Sequence, residues 1–156
     1  LTMKNPSTLG LALLCPVSVQ AHGNEKHAAP ALFVGESTAA AQAVKACHQA
    51  LRAGDANAAR AMLADDVLIV EGNGVERSAD EYASHHMLAD MKFMAAVQVE
   101  ALEHQTKVLG KVAYSVSRSQ QTGDYKGKPV DDISKETLVL VDNGDGWKIV
   151  HVHWSH

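Results

Sequence analysis

Long β segments dominate the C-terminal half of the chain, and they follow one another with only short glycine-containing turns between them. Four such segments are predicted from alternation and strand-forming residues: Ala96–Val108, Val112–Tyr125, Val130–Val141 and Trp147–Trp154. The breaks between them carry Gly110, Gly127 and the tight turn Asp142–Gly146. Turns this short join antiparallel neighbours. The sequence therefore predicts an antiparallel meander, one face of which has to be covered by other elements.

The N-terminal half carries helical patterns instead. Gly54 is a natural helix stop, Asp55 can cap the helix that follows, and Ser78 with Glu81 forms a capping box. Three helices and one strand are predicted: Glu36–Arg52, Ala56–Leu63, Val67–Glu71 and Ala79–Lys92. Helices followed by a strongly curved antiparallel sheet make an α+β fold. A sheet that curls round the three helices encloses a conical cavity, open at one end.

The first 21 residues have the pattern of an export signal. The apolar run Thr8–Val19 is too short to span a bilayer, and it precedes small residues suited to cleavage after Ala21. We therefore expect a signal peptide over residues 1–21, a flexible lead-in over 22–35 and one domain over 36–156. The mature protein would be periplasmic or secreted, without a membrane segment. The alternative is a disordered or helical arm of a cytoplasmic protein. Cleavage would leave Cys47 without a second cysteine, so no internal disulfide is expected.

Charge and composition limit the partners. The formal net charge is −4 with neutral histidines, and no segment concentrates lysine or arginine. This pattern argues against nucleic acid, whose phosphates call for a concentrated basic surface. The 156 residues include nine histidines, which favours a role in proton transfer or metal binding.

Five stretches of the sequence resemble one known superfamily. They are Leu51-Arg52-Ala53-Gly54-Asp55, Leu63-Ala64-Asp65-Asp66-Val67, Glu81-Tyr82-Ala83-Ser84-His85-His86, Lys135-Glu136-Thr137 and the ending from Gly146 to Ser155. In this order they resemble the nuclear transport factor 2-like superfamily, and within it the SnoaL-like branch. The ending is also similar to that of the association domain of calcium/calmodulin-dependent kinases. The resemblance extends from Ala39 to His156.

This resemblance implies a curved-sheet cone, frequent homodimers and a pocket between the third helix and the concave sheet face. It does not imply one chemistry, because the fold hosts isomerases, cyclases, dehydratases, binding modules and assembly domains. Isomerases of the superfamily use a tyrosine donor in the first helix together with carboxylates in the pocket. Here the first helix has Cys47-His48 and no tyrosine, which departs from that pattern.

The third predicted helix carries the first candidate site. Tyr82, His86 and Asp90 are spaced four residues apart and project from nearly one face, so the carboxylate can orient the imidazole. If the protein is an enzyme, His86 would be the general base and Asp90 its orienting carboxylate. The alternative is that Tyr82 belongs to the core while His86 and Asp90 form a local helix pair.

The last strand carries the second candidate site. His151 and His153 are two residues apart and share a strand face with Ile149, while Val150, Val152 and Trp154 point the other way. Glu136 is a further candidate, but the register of the last hairpin decides whether it or Thr137 faces the pocket. The alternative is a histidine pair packed at a dimer interface or a sheet edge.

The sequence favours a secreted small-molecule pocket protein whose ligand-binding residues are Tyr82, His86, Asp90, Glu136, His151 and His153. It leaves open whether the ligand is also converted. One alternative is a periplasmic metal-binding protein using His86, Asp90, His151 and His153, and another is a non-catalytic dimerisation module. The leading hypothesis needs no cofactor. A homodimer is expected through the sheet, with the apolar row of Val150, Val152 and Trp154.

Overall fold

The structure is a computed structural model that describes residues 29–156. The predicted signal peptide and residues 22–28 of the predicted lead-in lie outside the described residues. The elements in chain order are β1 (Phe33–Val34), α1 (Ala39–Ala53), α2 (Ala56–Met62), β2 (Leu63–Glu71), β3 (Gly74–Glu76), α3 (Ala79–Ser84), α4 (Met87–Ala96), β4 (Val97–Leu109), β5 (Val112–Tyr125), β6 (Lys128–Asp142) and β7 (Trp147–Ser155). No helix in the described range is long and apolar enough to cross a membrane.

All seven strands form one curved sheet in the order β1-β4-β5-β6-β7-β2-β3. The predicted meander is present, since β4, β5, β6 and β7 pair antiparallel with their neighbours in sequence. Two pairings are parallel, β1 with β4 and β2 with β7, so the sheet is mixed rather than antiparallel throughout. The α+β cone predicted from the sequence is confirmed.

The helices begin and end where capping chemistry places them. The Thr38 hydroxyl accepts a hydrogen bond from the backbone of α1, and Gly54 ends that helix with a left-handed φ of 72°. Asp55 caps α2, and Ser78 caps α3 as predicted. These caps fix the boundaries within two or three residues of the sequence prediction.

The third predicted helix is in fact two helices, α3 and α4, which meet at His85-His86. The Ser84 hydroxyl donates to the carbonyls of Asp80 and Glu81, and such back-bonding competes with the regular helical ladder. The prediction of three helices was therefore wrong, because the third is interrupted and the described residues form four. His86 is the N-cap residue of α4, and its carbonyl accepts a helical hydrogen bond from the backbone N–H of Asp90.

The core lies between the helices and the concave face of the sheet. Val44 and Leu51 of α1 pack there with Ile69, Leu138 and Val152 of three strands. Burying side chains of this size stabilises the fold by roughly 1.5–3 kcal/mol each.

The end of the predicted lead-in belongs to the sheet, because Phe33 and Val34 pair with β4. Gly35 makes this docking feasible: its φ is +72°, and a Cβ atom there would lie 2.1 Å from the carbonyl oxygen of Thr106. Only glycine accepts both the left-handed backbone and this close approach.

A β-bulge in the last hairpin decides which side chains of β7 face the helices. Val139 pairs with His151 but Leu140 pairs with Ile149, so Val150 is left as an extra residue on β7. Alternation of side chains therefore restarts at the bulge. Ile149 and Val152 are both buried against the helices although they are three residues apart.

Candidate functional site

A cavity of about 330 Å³ opens between α1, α4 and the concave face of the sheet. Its wall combines apolar groups with a few converging polar ones, the usual composition of a small-molecule site. Both helices and β2, β4, β5, β6 and β7 contribute side chains to it. The residues used below are Glu71, Asp90, Phe93, Val99, Ala101, Ser119, Gln121, Ser134, Glu136, His48 and Trp154.

Glu136 lies at the centre of the first polar cluster. Its Oε2 atom is 2.9 Å from Nε2 of His48 and accepts a hydrogen bond of 2.7 Å from Nε1–H of Trp154. The residue is only 7% exposed. Burial acts to raise the pKa of Glu136, but the charge of His48 and these two hydrogen bonds outweigh burial and hold the pKa below its ordinary value. Glu136 is therefore an anion.

His48 is the cationic partner in this cluster. The charge of Glu136 is the main reason that the pKa of His48 is raised, against the opposing effect of desolvation. His48 lines the cavity, and 36% of its side chain is exposed while Nε2 bonds Glu136. The cavity wall thus presents an imidazolium held in place by a buried carboxylate.

Asp90 forms a second polar cluster with Tyr82. The Tyr82 hydroxyl donates a hydrogen bond of 2.8 Å to Oδ2 of Asp90. Burial raises the pKa of Asp90 to about 6, and nearby Glu71 adds to the effect, while the bond from Tyr82 opposes it. Burial also raises the pKa of Tyr82, so this hydroxyl stays protonated and keeps donating. A carboxylate with such a pKa can exchange a proton near neutral pH.

The partner of Asp90 is not the one that the sequence suggested. His86 instead pairs with Glu76 on β3. Nδ1 of His86 lies 2.5 Å from Oε1 of Glu76, and 60% of the His86 side chain is exposed. Its hydrogen bond to Glu76 is the main reason that the pKa of His86 is raised. His86 does not line the cavity. The predicted pair of His86 as base and Asp90 as orienting group is therefore wrong, because the imidazole of His86 bonds Glu76 of β3 instead.

The β7 histidines lie on the outer face of the sheet, which corrects a second prediction. The bulge at Val150 places Trp154 with Ile149 and Val152 on the inner face, so His151 and His153 point away from the cavity. Nδ1 of His151 is 2.9 Å from the carbonyl oxygen of Leu68. The apolar row of Val150, Val152 and Trp154 that motivated the dimer prediction does not exist on the outer face either.

The alternative metal site at His86, Asp90, His151 and His153 is not formed, because these side chains lie on different faces of the fold. Within residues 29–156, no three His, Cys, Asp or Glu side chains are close enough to hold a metal ion.

Of the six side chains predicted to bind a ligand, Asp90 and Glu136 line the cavity. Tyr82 lies behind Asp90 as its hydrogen-bond donor. Register settles the choice between Glu136 and Thr137: Glu136 pairs with inward-facing Trp154, whereas Thr137 pairs with His153.

Sequence reasoning missed His48 as a site residue. A usable signal was present, because His48 follows Val44 by four residues and precedes Leu51 by three. A histidine on the apolar stripe of a helix faces the interior and needs a polar partner there. The adjacent Cys47 is buried and its pKa is raised to about 12, so it is no nucleophile near neutral pH.

A third polar cluster joins β1, β4 and β5 at the edge of the cavity. His104 lies 2.6 Å from Oε1 of Glu36 through Nδ1 and 2.9 Å from the hydroxyl of Ser115 through Nε2. The order carboxylate, imidazole, hydroxyl resembles a hydrolase triad, but Ser115 is 1% exposed. A substrate cannot reach this hydroxyl, so the cluster holds the β1 segment against the sheet.

Known structures share the fold of this chain. A protein from Shewanella frigidimarina NCIMB 400, proposed to be a ketosteroid isomerase, is 48% identical, with a TM-score of 0.77 over 79% of this chain and 99% of that one. A proposed dehydratase of the nuclear transport factor 2-like family from Streptomyces avermitilis is 19% identical, with a TM-score of 0.61 over 73% of this chain and 90% of that one.

A proposed calcium/calmodulin-dependent protein kinase II association domain from Xanthomonas campestris is 18% identical, with a TM-score of 0.61 over 72% of this chain and 81% of that one. At identities of 19% and 18%, the Streptomyces and Xanthomonas proteins show only that they share the fold of this chain. No functionally curated protein matches the chain. The SnoaL-like domain family matches residues 40–156. The chain therefore belongs to the SnoaL-like domain family, and it shares the fold of nuclear transport factor 2-like proteins.

Proposed function

We propose that this protein binds a small, largely apolar carbonyl compound in the cavity and moves a proton at the carbon next to the carbonyl. The observation that carries the proposal is Asp90, a cavity carboxyl with a pKa of about 6 and a hydrogen bond from Tyr82. A general base works best when its pKa lies near the working pH. The similarity to a proposed ketosteroid isomerase supports the same chemistry.

His48 supplies the second group that the reaction needs. Removal of a proton next to a carbonyl places negative charge on the oxygen, and a fixed N–H donor stabilises that charge. His48 is a cavity-facing cation on α1, fixed by Glu136. It offers a donor on the helix where isomerases of the superfamily have a tyrosine, so the missing tyrosine does not exclude this chemistry.

In the proposed reaction, a C–H bond next to the carbonyl breaks and its proton goes to Asp90. The electron pair forms an enolate, whose oxygen accepts a hydrogen bond from His48. Return of the proton from Asp90 to a more distant carbon moves a double bond and completes an isomerisation. Tyr82 and Glu136 act as positioning residues, since each acts through the group that it holds.

The test uses β,γ-unsaturated ketones of increasing size, from 3-cyclohexen-1-one to 5-androstene-3,17-dione. Formation of the conjugated enone is followed by ultraviolet absorbance. We expect turnover of at least one ketone, a loss of at least about 100-fold in kcat for Asp90→Asn, and a smaller loss for His48→Gln. His153→Asn is the matched control, because His153 lies on the outer face. Full turnover by Asp90→Asn would refute the assigned base.

A non-catalytic binding role is the second candidate, and the pocket itself supports it. It predicts that ketones bind without turnover and that Asp90→Asn leaves their affinity unchanged. Calorimetric titration of the same ketones separates the two functions.

Export and dimerisation are further proposals. Cleavage after Ala21 is tested by the intact mass of protein recovered from a bacterial periplasm, where we expect a chain that starts at His22. The outer face of β5 exposes Val112, Tyr114 and Val116, an apolar row that supports a homodimer through the sheet. Light scattering that gives a monomer mass at tens of micromolar would contradict this dimer.

A further inference from the structure

Gln121 carries a buried polar atom that the fold leaves without a partner. The residue lies on β5, is 7% exposed and lines the cavity. Its Oε1 atom accepts no hydrogen bond from any residue of the described range 29–156. An unmatched buried carbonyl weakens the fold on the order of 1–3 kcal/mol, so a native protein keeps one where something else supplies the donor.

The surroundings of Gln121 indicate what that donor is. Ser119, on the same face of β5, pairs directly with Ser134 of β6, and both line the cavity. These hydroxyls and the amide of Gln121 form a neutral polar strip. The wall beside them is apolar, with Phe93, Val99 and Ala101 among others. The carboxylate beside the strip is that of Asp132, which pairs directly with Gln121 across the strands. It is exposed, does not line the cavity and accepts a hydrogen bond from the backbone N–H of Ile133, so the groups that meet a ligand are neutral and suit a hydroxyl.

Gln121, at the far end of the polar strip, lies away from Glu136, whereas Ser119 and Ser134 lie between the two. Glu136, which holds His48, is opposite Ser117, and Gln121 is four residues further along β5. Four residues of strand span about 13 Å. A ligand that reaches both ends is therefore elongated, with an apolar body between two oxygen functions.

We propose that the ligand is a hydroxy ketone, whose hydroxyl group, distant from the carbonyl, donates a hydrogen bond to Oε1 of Gln121. This assignment rests on the proposed function for the orientation of the carbonyl, and it adds the substrate class. Ser119 and Ser134 complete the hydroxyl site, since a hydroxyl can accept a hydrogen bond as well as donate one.

The test compares two probes that differ only in the distant hydroxyl, 6-acetyl-2-naphthol and 2-acetylnaphthalene. Calorimetric titration of the full-length mature protein should give at least tenfold tighter binding of the naphthol, or about 1.4 kcal/mol. Gln121→Met should reduce the ratio of the two dissociation constants to near one and leave the affinity for 2-acetylnaphthalene unchanged. Gln120→Met is the matched control, because Gln120 is the neighbour in β5 and bonds Asp131.

A second readout needs no ligand. Since Gln121→Met removes an unmatched buried carbonyl, it should raise the melting temperature of the free protein, whereas a Gln121 satisfied by bound water would make the variant less stable. A lower melting temperature, or an unchanged ratio of dissociation constants, overturns the hydroxyl site. Failure of both probes to bind counts against the hydroxyl site and the carbonyl site together. Loss of the hydroxyl preference alone, with catalysis intact, leaves the proposed function standing.

Discussion

Replacing Asp90 with asparagine should stabilise the protein at alkaline pH while removing its base. Burial raises the pKa of Asp90 from 3.8 to about 6, so folding favours the protonated form. The stability that this proton contributes is fully present below about pH 3.8 and is lost as pH rises through about 6. A rise of about two units in the pKa corresponds to roughly 3 kcal/mol of unfolding free energy. About 1.4 kcal/mol of this is lost between pH 5 and pH 8.

Asparagine is neutral at every pH and its carbonyl still accepts from Tyr82. Urea unfolding of both proteins at pH 5, 6, 7 and 8 measures the effect as a difference of unfolding free energies. Contributions of groups that do not interact with Asp90 cancel in that difference, whereas the charge of Asp90 also acts on His86. We expect Asp90→Asn to gain stability relative to wild type by about 1 to 1.5 kcal/mol as pH rises from 5 to 8. A difference that stays constant with pH would refute the reasoning, because it would mean that the pKa of Asp90 is not raised by folding.

Three further changes have defined outcomes. Glu136→Gln removes the anion beside His48 and should cost about 1 to 2 kcal/mol in unfolding free energy at pH 6. Because folding raises the pKa of His48 and lowers that of Glu136, this stabilisation should be complete between pH 4.5 and pH 6.5 and fade as pH rises through the raised pKa of His48. An equal cost at pH 6 and pH 9 would contradict the ion pair. Tyr82→Phe removes the hydrogen bond that lowers the pKa of Asp90 and should therefore move the acidic limb of the pH–rate profile to higher pH. A profile that does not move would show that the hydroxyl does not lower the pKa of Asp90. Gly35→Ala should destabilise the protein by at least about 1 kcal/mol in thermal unfolding, and a neutral result would mean that β1 is not held against Thr106.

The fold could be predicted because its signals are local. Gly54 ends α1, and the side chains of Asp55 and Ser78 accept hydrogen bonds at the starts of α2 and α3. The strands of the meander were predicted from the alternation of their side chains. The parallel pairings of β1 and β2 could not be read in this way, because their partners are distant in sequence. The periodicity of a strand indicates that it is a strand but does not indicate which distant strand it pairs with.

The site was harder to predict because a one-residue bulge and contacts between separate elements decide it. One extra residue, Val150, reverses the faces of β7 and takes His151 and His153 away from the helices. The imidazole of His86 bonds Glu76 of β3 instead of Asp90, and Asp90 accepts from Tyr82. Neither a bulge nor a helix break changes the apolar pattern enough to be seen in one sequence. His48 and Glu136 are 88 residues apart in the sequence, and only the folded cone brings them into contact.

Deuterium exchange tests the central claim most directly, since it reports proton removal even when no product accumulates. The protein is incubated with 3-cyclohexen-1-one in D₂O, and loss of the protons next to the carbonyl is followed by proton NMR. We expect catalysed exchange whose rate rises with pH through about 6 and which falls to the buffer rate in Asp90→Asn. Catalysed exchange that persists undiminished in Asp90→Asn would contradict the assignment of Asp90 as the base.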